Sequence, residues 1–188
     1  MFCCIRFLSP CLDMNDFWVF AYGSLMWSPG FFYDDVQPTR LLGYHRRLCI
    51  YSFHYRGTPK QPGLVLGLIN GGVCDGLSFH IPQRRAQTSY EYLIQREQLN
   101  GVYKERSLLL SLKDGRKVQG LVFVADFMHP QYAGFLDSDK IAEIVSKAKG
   151  KTGSNKEYVL RTVRHLQGLD VRDYLLERIF HKLLRFQA

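Results

Sequence analysis

Strand-like and helix-like patterns are segregated along this chain, and that segregation limits the folds open to it. From Phe17 to Phe127 the sequence reads as short β-rich runs with a single helical interruption; beyond Ile141 the spacing is helical throughout. Phe17 to Tyr22 is a first strand, and Ser24 to Pro38 reads as a long loop broken by Pro29 and Gly30. Arg40 to Phe53 alternates around Gly43 and predicts one long or bent strand. A turn-rich stretch from Arg56 to Gly63 leads to a short strand, Leu64 to Ile69. Asn70-Gly71-Gly72 predicts a turn, followed by a strand from Asp75 to Ile81. A helix is expected over Arg84 to Leu99. Two further strands, Glu105 to Leu112 and Lys117 to Phe127, flank Asp114-Gly115, a strong hairpin signal. Ile141, Ile144, Val145 and Ala148 keep helical spacing up to Gly150. Ser154 with Glu157 makes a capping box for the next helix, which ends at Gly168, and Asp170 is the expected cap of the last. Strands first and helices last predict an α+β domain, a small closed or nearly closed mixed β-barrel with helices packed on it and a helical C-terminal part.

A length of 188 residues suits one domain with a sizeable core. Residues 1–13 read as an extension outside the fold, and 14–188 as a single domain. No apolar run is long enough to span a bilayer, and the N-terminal stretch has neither a signal-peptide apolar region nor a small-residue cleavage site, so no membrane partner is expected. The net charge of +8 comes from scattered basic residues without an arm, zinc-finger or RNP pattern; it favours an acidic ligand weakly and nucleic acid less. The five cysteines (Cys3, Cys4, Cys11, Cys49 and Cys74) form neither a regular framework nor a CxxC pair. Cys49 and Cys74 are expected to be reduced core residues, which points to a cytoplasmic protein. No metal, nucleotide or redox motif is present, and no cofactor is expected. The sequence leaves the oligomeric state open.

Two local features point to chemistry. The aromatic strand stops abruptly at Gly23-Ser24, where a glycine turn can expose backbone N–H groups to a carboxylate or a developing oxyanion; an ordinary strand and turn is the alternative. In the first helix, Ala86, Tyr90 and Leu93 share a stripe that Glu97 continues, whereas Glu91 lies about 100° further round than Tyr90. A carboxylate on an apolar face costs several kcal/mol unless protonated or paired, and its raised pKa suits proton transfer near neutrality. A structural salt bridge, or a helix end where Glu97 reaches solvent, is the competing explanation.

The run Trp18-Val19-Phe20-Ala21-Tyr22-Gly23-Ser24-Leu25-Met26-Trp27 resembles the opening motif of the ChaC family of γ-glutamylcyclotransferases. Gly43-Tyr44-His45-Arg46-Arg47 resembles the family's second-strand pattern, and Arg56-Gly57-Thr58-Pro59 with Pro62-Gly63 its arginine–glycine loop. Arg96-Glu97 with Gly101 and Tyr103 is similar to the segment bearing its catalytic glutamate, and Gly153, Asn155, Glu157 and Tyr158 to its C-terminal signature. The resemblance runs from Trp18 to the last helix. It implies cleavage of glutathione to 5-oxoproline and cysteinylglycine, with Glu97 as the proton-transfer residue. It also implies substrate contacts along Val19, Phe20, Ala21, Tyr22, Gly23, Ser24 and Leu25, and at Arg56, Tyr103 and Tyr158. Other γ-glutamyl peptides or amines, a non-catalytic γ-glutamyl-binding module and a basic nucleic-acid-binding barrel are the alternatives. Two departures stand out. Ala21 replaces a glycine usual in the family and would be strained at positive φ; Val102 replaces another before Tyr103.

Overall fold

The computed structural model describes residues 15–97 and 100–185; the extension expected over residues 1–13, and Leu99 at the end of the expected helix, lie outside them. Five strands close into a barrel in the order β1-β3-β2-β4-β5. They are β1 (Phe17–Ala21), β2 (Asp35–Ser52), β3 (Gly63–Ile81), β4 (Tyr103–Leu112) and β5 (Lys117–Ala125). β1 pairs antiparallel with β3 and parallel with β5, and this parallel seam closes the barrel. All five residues of β1 are buried, which explains why this strand carries aromatic and apolar residues at consecutive positions instead of alternating ones. Ala21 takes an ordinary strand conformation opposite Leu77, so the alanine there is unstrained.

The long pair β2–β3 corrects two expectations. β2 begins at Asp35, inside the expected loop, because residues 35–39 find partners along His80 to Gly76. Asn70-Gly71-Gly72 does not reverse the chain. Gly43 at φ +82° faces Gly71 and Gly72 at +95° and +76° across a register shift, so the glycines bend a continuous ladder. The Asp114-Gly115 hairpin forms as expected, with Gly115 at φ +94°.

The helices are α1 (Gln83–Glu97), α2 (Ser138–Lys147), α3 (Asn155–Gly168) and α4 (Tyr174–Arg185). A two-residue pairing, β6 (Lys149–Gly150) with β7 (Gly153–Ser154), separates α2 from α3. Ser154 Oγ accepts the Glu157 N–H at 3.1 Å, as the capping box requires. Asp170 is not the cap of α4; it takes a left-handed turn at φ +57°, and Asp173 accepts the Leu176 N–H at 3.1 Å instead. One apolar cluster joins the barrel interior to α1, α2, α3 and α4. Phe20 and Phe123, each essentially inaccessible, anchor it, and burying a side chain of that size contributes about 1.5–3 kcal/mol. Among the described residues, no helix is long and apolar enough to cross a membrane.

Candidate active site

β1 ends at Ala21, and a 3₁₀ turn, Ser24–Met26, follows at once. Within this turn the carbonyls of Gly23 and Ser24 accept the N–H groups of Met26 (3.0 Å), Trp27 (3.3 Å) and Ser28 (2.9 Å). The first N–H groups of any such turn lack internal acceptors, and those of Gly23, Ser24 and Leu25 have no acceptor among the described residues. Arg46, from β2, donates to the Tyr22 carbonyl at 2.8 Å and pairs with Asp173 at 3.2 Å. A trans peptide points its C=O and N–H in opposite directions, so the Gly23 N–H is turned away from Arg46, which lies outside the cavity lining. A Cβ at Gly23 would stand 3.3 Å from the Tyr158 hydroxyl.

The turn opens on a cavity of about 700 Å³. Phe20, Tyr22, Gly23, Ser24, Leu25, Arg56, Glu97, Tyr103 and Tyr158 all line it; Val19 and Ala21 do not, because successive strand residues face opposite ways. Glu97 is the last residue of α1, and the stripe that brings it here is real: Ala86 and Leu93 are buried below it. Its side chain is 17% exposed and its ion-pair partner is Arg96 Nε at 3.3 Å. Burial raises the Glu97 pKa, and the neighbouring Arg96 charge opposes that rise only in part.

Three phenols surround this carboxylate. Tyr22 donates to the Phe123 carbonyl at 2.8 Å and Tyr103 to the Leu66 carbonyl at 2.6 Å, while the Tyr158 hydroxyl accepts the Leu66 N–H at 3.2 Å. Burial, reinforced by the Glu97 charge, holds the Tyr22 and Tyr103 hydroxyls well above their usual range, and burial pushes Tyr158 to about 12. All three are therefore neutral at physiological pH. Burial also lifts the reduced Cys49 to about 12 and Cys74 to about 11, so neither supplies a ready thiolate.

Arg56 reaches the cavity through a close backbone crossing. A Cβ on Gly57 would stand 2.1 Å from Gly63 N, and one on Gly150 2.5 Å from Tyr55 O. Only glycine permits both approaches. The buried Arg56 donates to the Thr152 carbonyl at 2.8 Å, lies over the Tyr158 ring at 5.4 Å, and has no carboxylate partner among the described residues. Asn155, read from sequence as part of a helix start and of the C-terminal signature, is fully buried and bonds both backbone groups of Leu64, at 2.6 and 2.7 Å. With Tyr158 and Tyr103 it covers the β3 edge where no strand pairs among the described residues.

Arg96 was legible only as the neighbour of Glu97, yet it touches the turn, the helix and the carboxylate together. Among the described residues, no three His, Cys, Asp or Glu side chains converge to hold a metal ion. The arrangement supplies one largely buried carboxylate, free backbone donors and, in Arg56, a cation without a direct ion pair among the described residues.

A glutathione-specific γ-glutamylcyclotransferase of Escherichia coli is 34% identical over 161 residues, covering 86% of this chain and 70% of that protein. The namesake of Schizosaccharomyces pombe is 34% identical over 206 residues, covering 96% and 98%. The crystal structure of a yeast γ-glutamyl cyclotransferase specific to glutathione has the same fold, with a TM-score of 0.85 over 92% of this chain and 97% of that one at 23% identity. The family model described as ChaC-like protein matches residues 17–185, from the first residue of β1 to the last of α4, and the chain belongs to that family.

Proposed function

We propose that this protein is a γ-glutamylcyclotransferase that cleaves glutathione to 5-oxoproline and cysteinylglycine. The observation that carries the reading is the placing of Glu97, a largely buried carboxylate with a raised pKa, in the same cavity as the free N–H groups of Gly23, Ser24 and Leu25. The relatives named above support glutathione as the substrate.

The reaction is an internal displacement. The α-amine of the γ-glutamyl group is an ammonium at neutral pH and cannot attack. Glu97 takes one of its protons. The freed nitrogen adds to the γ-carbonyl carbon and closes a five-membered ring. The carbonyl oxygen becomes negative and is held by the backbone donors of the turn; loss of one such donor costs about 3 kcal/mol in acyl-transfer enzymes. The bond to the cysteinyl nitrogen then breaks as Glu97 returns its proton to that nitrogen. The ring nitrogen, which carries two protons after its attack, gives the extra one by way of Glu97 to the departing amine, which leaves as an ammonium. Water is not consumed. A carboxylate with an elevated pKa suits both halves of this exchange better than an ordinary one. Holding the flexible γ-glutamyl chain in its ring-closing conformer supplies up to about 7–11 kcal/mol in well-oriented systems. Arg56 binds a substrate carboxylate, and Tyr22, Tyr103 and Tyr158 shape the walls with Phe20. Aromatic residues lining a cavity, rather than a basic strand face, favour a small-molecule substrate over nucleic acid. The buried free thiols suit a reducing compartment, and the reaction is assigned to the cytoplasm.

The test mixes purified protein with glutathione and follows cysteinylglycine and 5-oxoproline, with Glu97→Gln as control. Turnover by the wild type and its loss in the variant are expected. Equal turnover by the two would remove Glu97 from its role. Turnover of γ-glutamyl-alanine but not glutathione would move the substrate to other γ-glutamyl compounds.

A further inference from the structure

Arg96 is the only side chain among the described residues that bonds to both the donor turn and Glu97. Its Nη2 donates to Ser24 Oγ at 3.0 Å. Its Nη1 faces the Ser28 carbonyl at 2.7 Å, the Pro29 carbonyl at 3.1 Å and the Tyr92 hydroxyl at 2.9 Å. Its Nε lies 3.3 Å from Glu97 Oε1. The loop is shaped to meet it. Gly30 sits at φ +76°, and a Cβ there would stand 2.1 Å from the Tyr92 hydroxyl, so glycine lets the loop close onto the same face of α1. A planar guanidinium presents donors in a rigid fork, which a lysine ammonium cannot reproduce.

We propose that Arg96 is a positioning residue: it joins the turn bearing the free N–H groups to the helix bearing Glu97, and so fixes the distance between the oxyanion donors and the proton acceptor. This rests on the cyclotransferase reading above. The Ser24 hydroxyl is engaged as an acceptor in this contact, which makes it part of the mount for its own backbone N–H. The same guanidinium is the cation paired with Glu97, and its charge counteracts the rise that burial imposes on the carboxyl. The other groups facing Glu97 are Tyr22 after β1, Tyr103 on β4 and Tyr158 on α3, all neutral at the pH of interest. Arg56 and Arg161 line the same cavity as permanent cations, and His54 is the imidazole in its lining.

The experiment measures kcat and KM across pH for wild type, Arg96→Lys and Arg96→Met, in a His54→Gln background, so that no imidazole lines the cavity. NMR titration of carboxyl-labelled Glu97 in the same proteins follows its proton without turnover. For Arg96→Met the acid limb of kcat/KM and the Glu97 titration both move to higher pH, and kcat falls on the order of 100-fold, the scale of a 1 Å misplacement. For Arg96→Lys the charge is kept and the fork lost, so kcat falls while the acid limb stays nearer that of the wild type. Methylguanidinium added to an Arg96→Gly variant restores part of the activity. A residue that merely stabilised the fold would lower the active fraction, leave the acid limb in place and resist this rescue; that pattern overturns the proposal. Full activity and an unmoved Glu97 titration in Arg96→Met overturn it as well. If instead glutathione is not turned over by the wild type, or Glu97→Gln is fully active, the cyclotransferase reading fails, and the Glu97 titration still decides whether Arg96 governs that carboxyl.

Discussion

The carboxylates at the two ends of β1 have shifts of opposite sign. Beyond the C-terminal end, Glu97 is held above its usual pKa because burial outweighs its one arginine at 3.3 Å. Around the N-terminal end, Asp35 and Asp114 share Arg116, which also lies 5.2 Å over the Trp18 ring, and hydrogen bonds from that arginine hold both acids below their usual range. The same residue chemistry therefore serves two ends. Where each charge meets a full partner, ionisation stabilises the fold. Where a largely buried carboxylate has one arginine to offset its burial, and Arg56 meets Glu157 only at longer range, ionisation works against the fold and the groups are left available to a ligand. Stability and reactivity are thus separated along one five-residue strand.

The largest expected effect tests that difference directly. Glu97→Gln lowers kcat about 10²–10⁴-fold, the range for a general acid–base group, and at neutral pH it raises Tm. The sign follows from linkage. A carboxyl whose folded pKa exceeds its unfolded value contributes stability below the unfolded value and loses it as pH rises through the folded one, so removing the charge restores what ionisation took away. Asp35→Asn, at the other end, lowers Tm and leaves kcat unchanged. Thermal unfolding of both variants decides the matter: a drop in Tm for Glu97→Gln would make that carboxylate a structural partner like the other two.

Arg46 is the next test, because it stands behind the free turn without lining the cavity. Arg46→Met leaves Asp173 without its ion pair and the Tyr22 carbonyl without its donor. Breaking a buried pair costs about 3–5 kcal/mol, and each kcal/mol lowers Tm by about 2–4 °C in a domain of this size. In the fraction that folds, kcat falls further, since the Tyr22–Gly23 peptide is free to rotate. A Tm and kcat close to wild type would show that the turn holds itself. Arg56→Met has a smaller effect of a different kind. KM for glutathione rises about 10–100-fold, matching about 1.5–3 kcal/mol for a charge-assisted hydrogen bond, while kcat stays within a few-fold. Steady-state kinetics with unchanged KM would place the substrate carboxylate elsewhere.

How much of this was legible in the sequence depended on how local its causes are. The buried strand, the halt at Gly23 and the stripe from Ala86 to Glu97 follow from composition and helical spacing within a few residues, and all three are present. Glycine runs were harder, because a left-handed glycine serves a turn or a bulge equally well; only the pairing of Gly43 with Gly71 and Gly72 across the ladder makes the bend. An aspartate is ambiguous in its own way, fitting a helix cap or a left-handed turn, and Asp170 takes the turn while Asp173 caps α4. Partners distant in sequence were beyond reach. Asn155 and Tyr158 cover backbone groups 91 and 92 residues away, and the burial of Arg56 needs Gly57, Gly63 and Gly150 at one crossing. Arg96 sat in plain view beside Glu97, but its contact with Ser24 spans 72 residues.

The smallest effect lies at the structural end and runs with pH. His80 Nδ1 is 2.6 Å from Asp34 and Nε2 is 2.9 Å from Asp16, with the ring 5.1 Å from Trp18. Burial pushes this imidazole down, but the hydrogen bonds and charges of the two aspartates together outweigh burial and leave its pKa raised. A histidine raised on folding contributes stability that is complete below the unfolded value of about 6.5 and is lost as pH climbs through the higher folded value. Both aspartates are substantially exposed, so solvent screening limits the contribution to below about 1 kcal/mol. From about pH 6 to about 8.5, the range around that imidazole value, Tm of the wild type falls slightly and that of His80→Gln falls less. Activity runs the other way over its acid limb, because Glu97 must lose its proton to act, and His80→Gln leaves that limb where it was. A His80→Gln variant that moved the acid limb would join the two ends of β1 electrostatically and undo the separation between them.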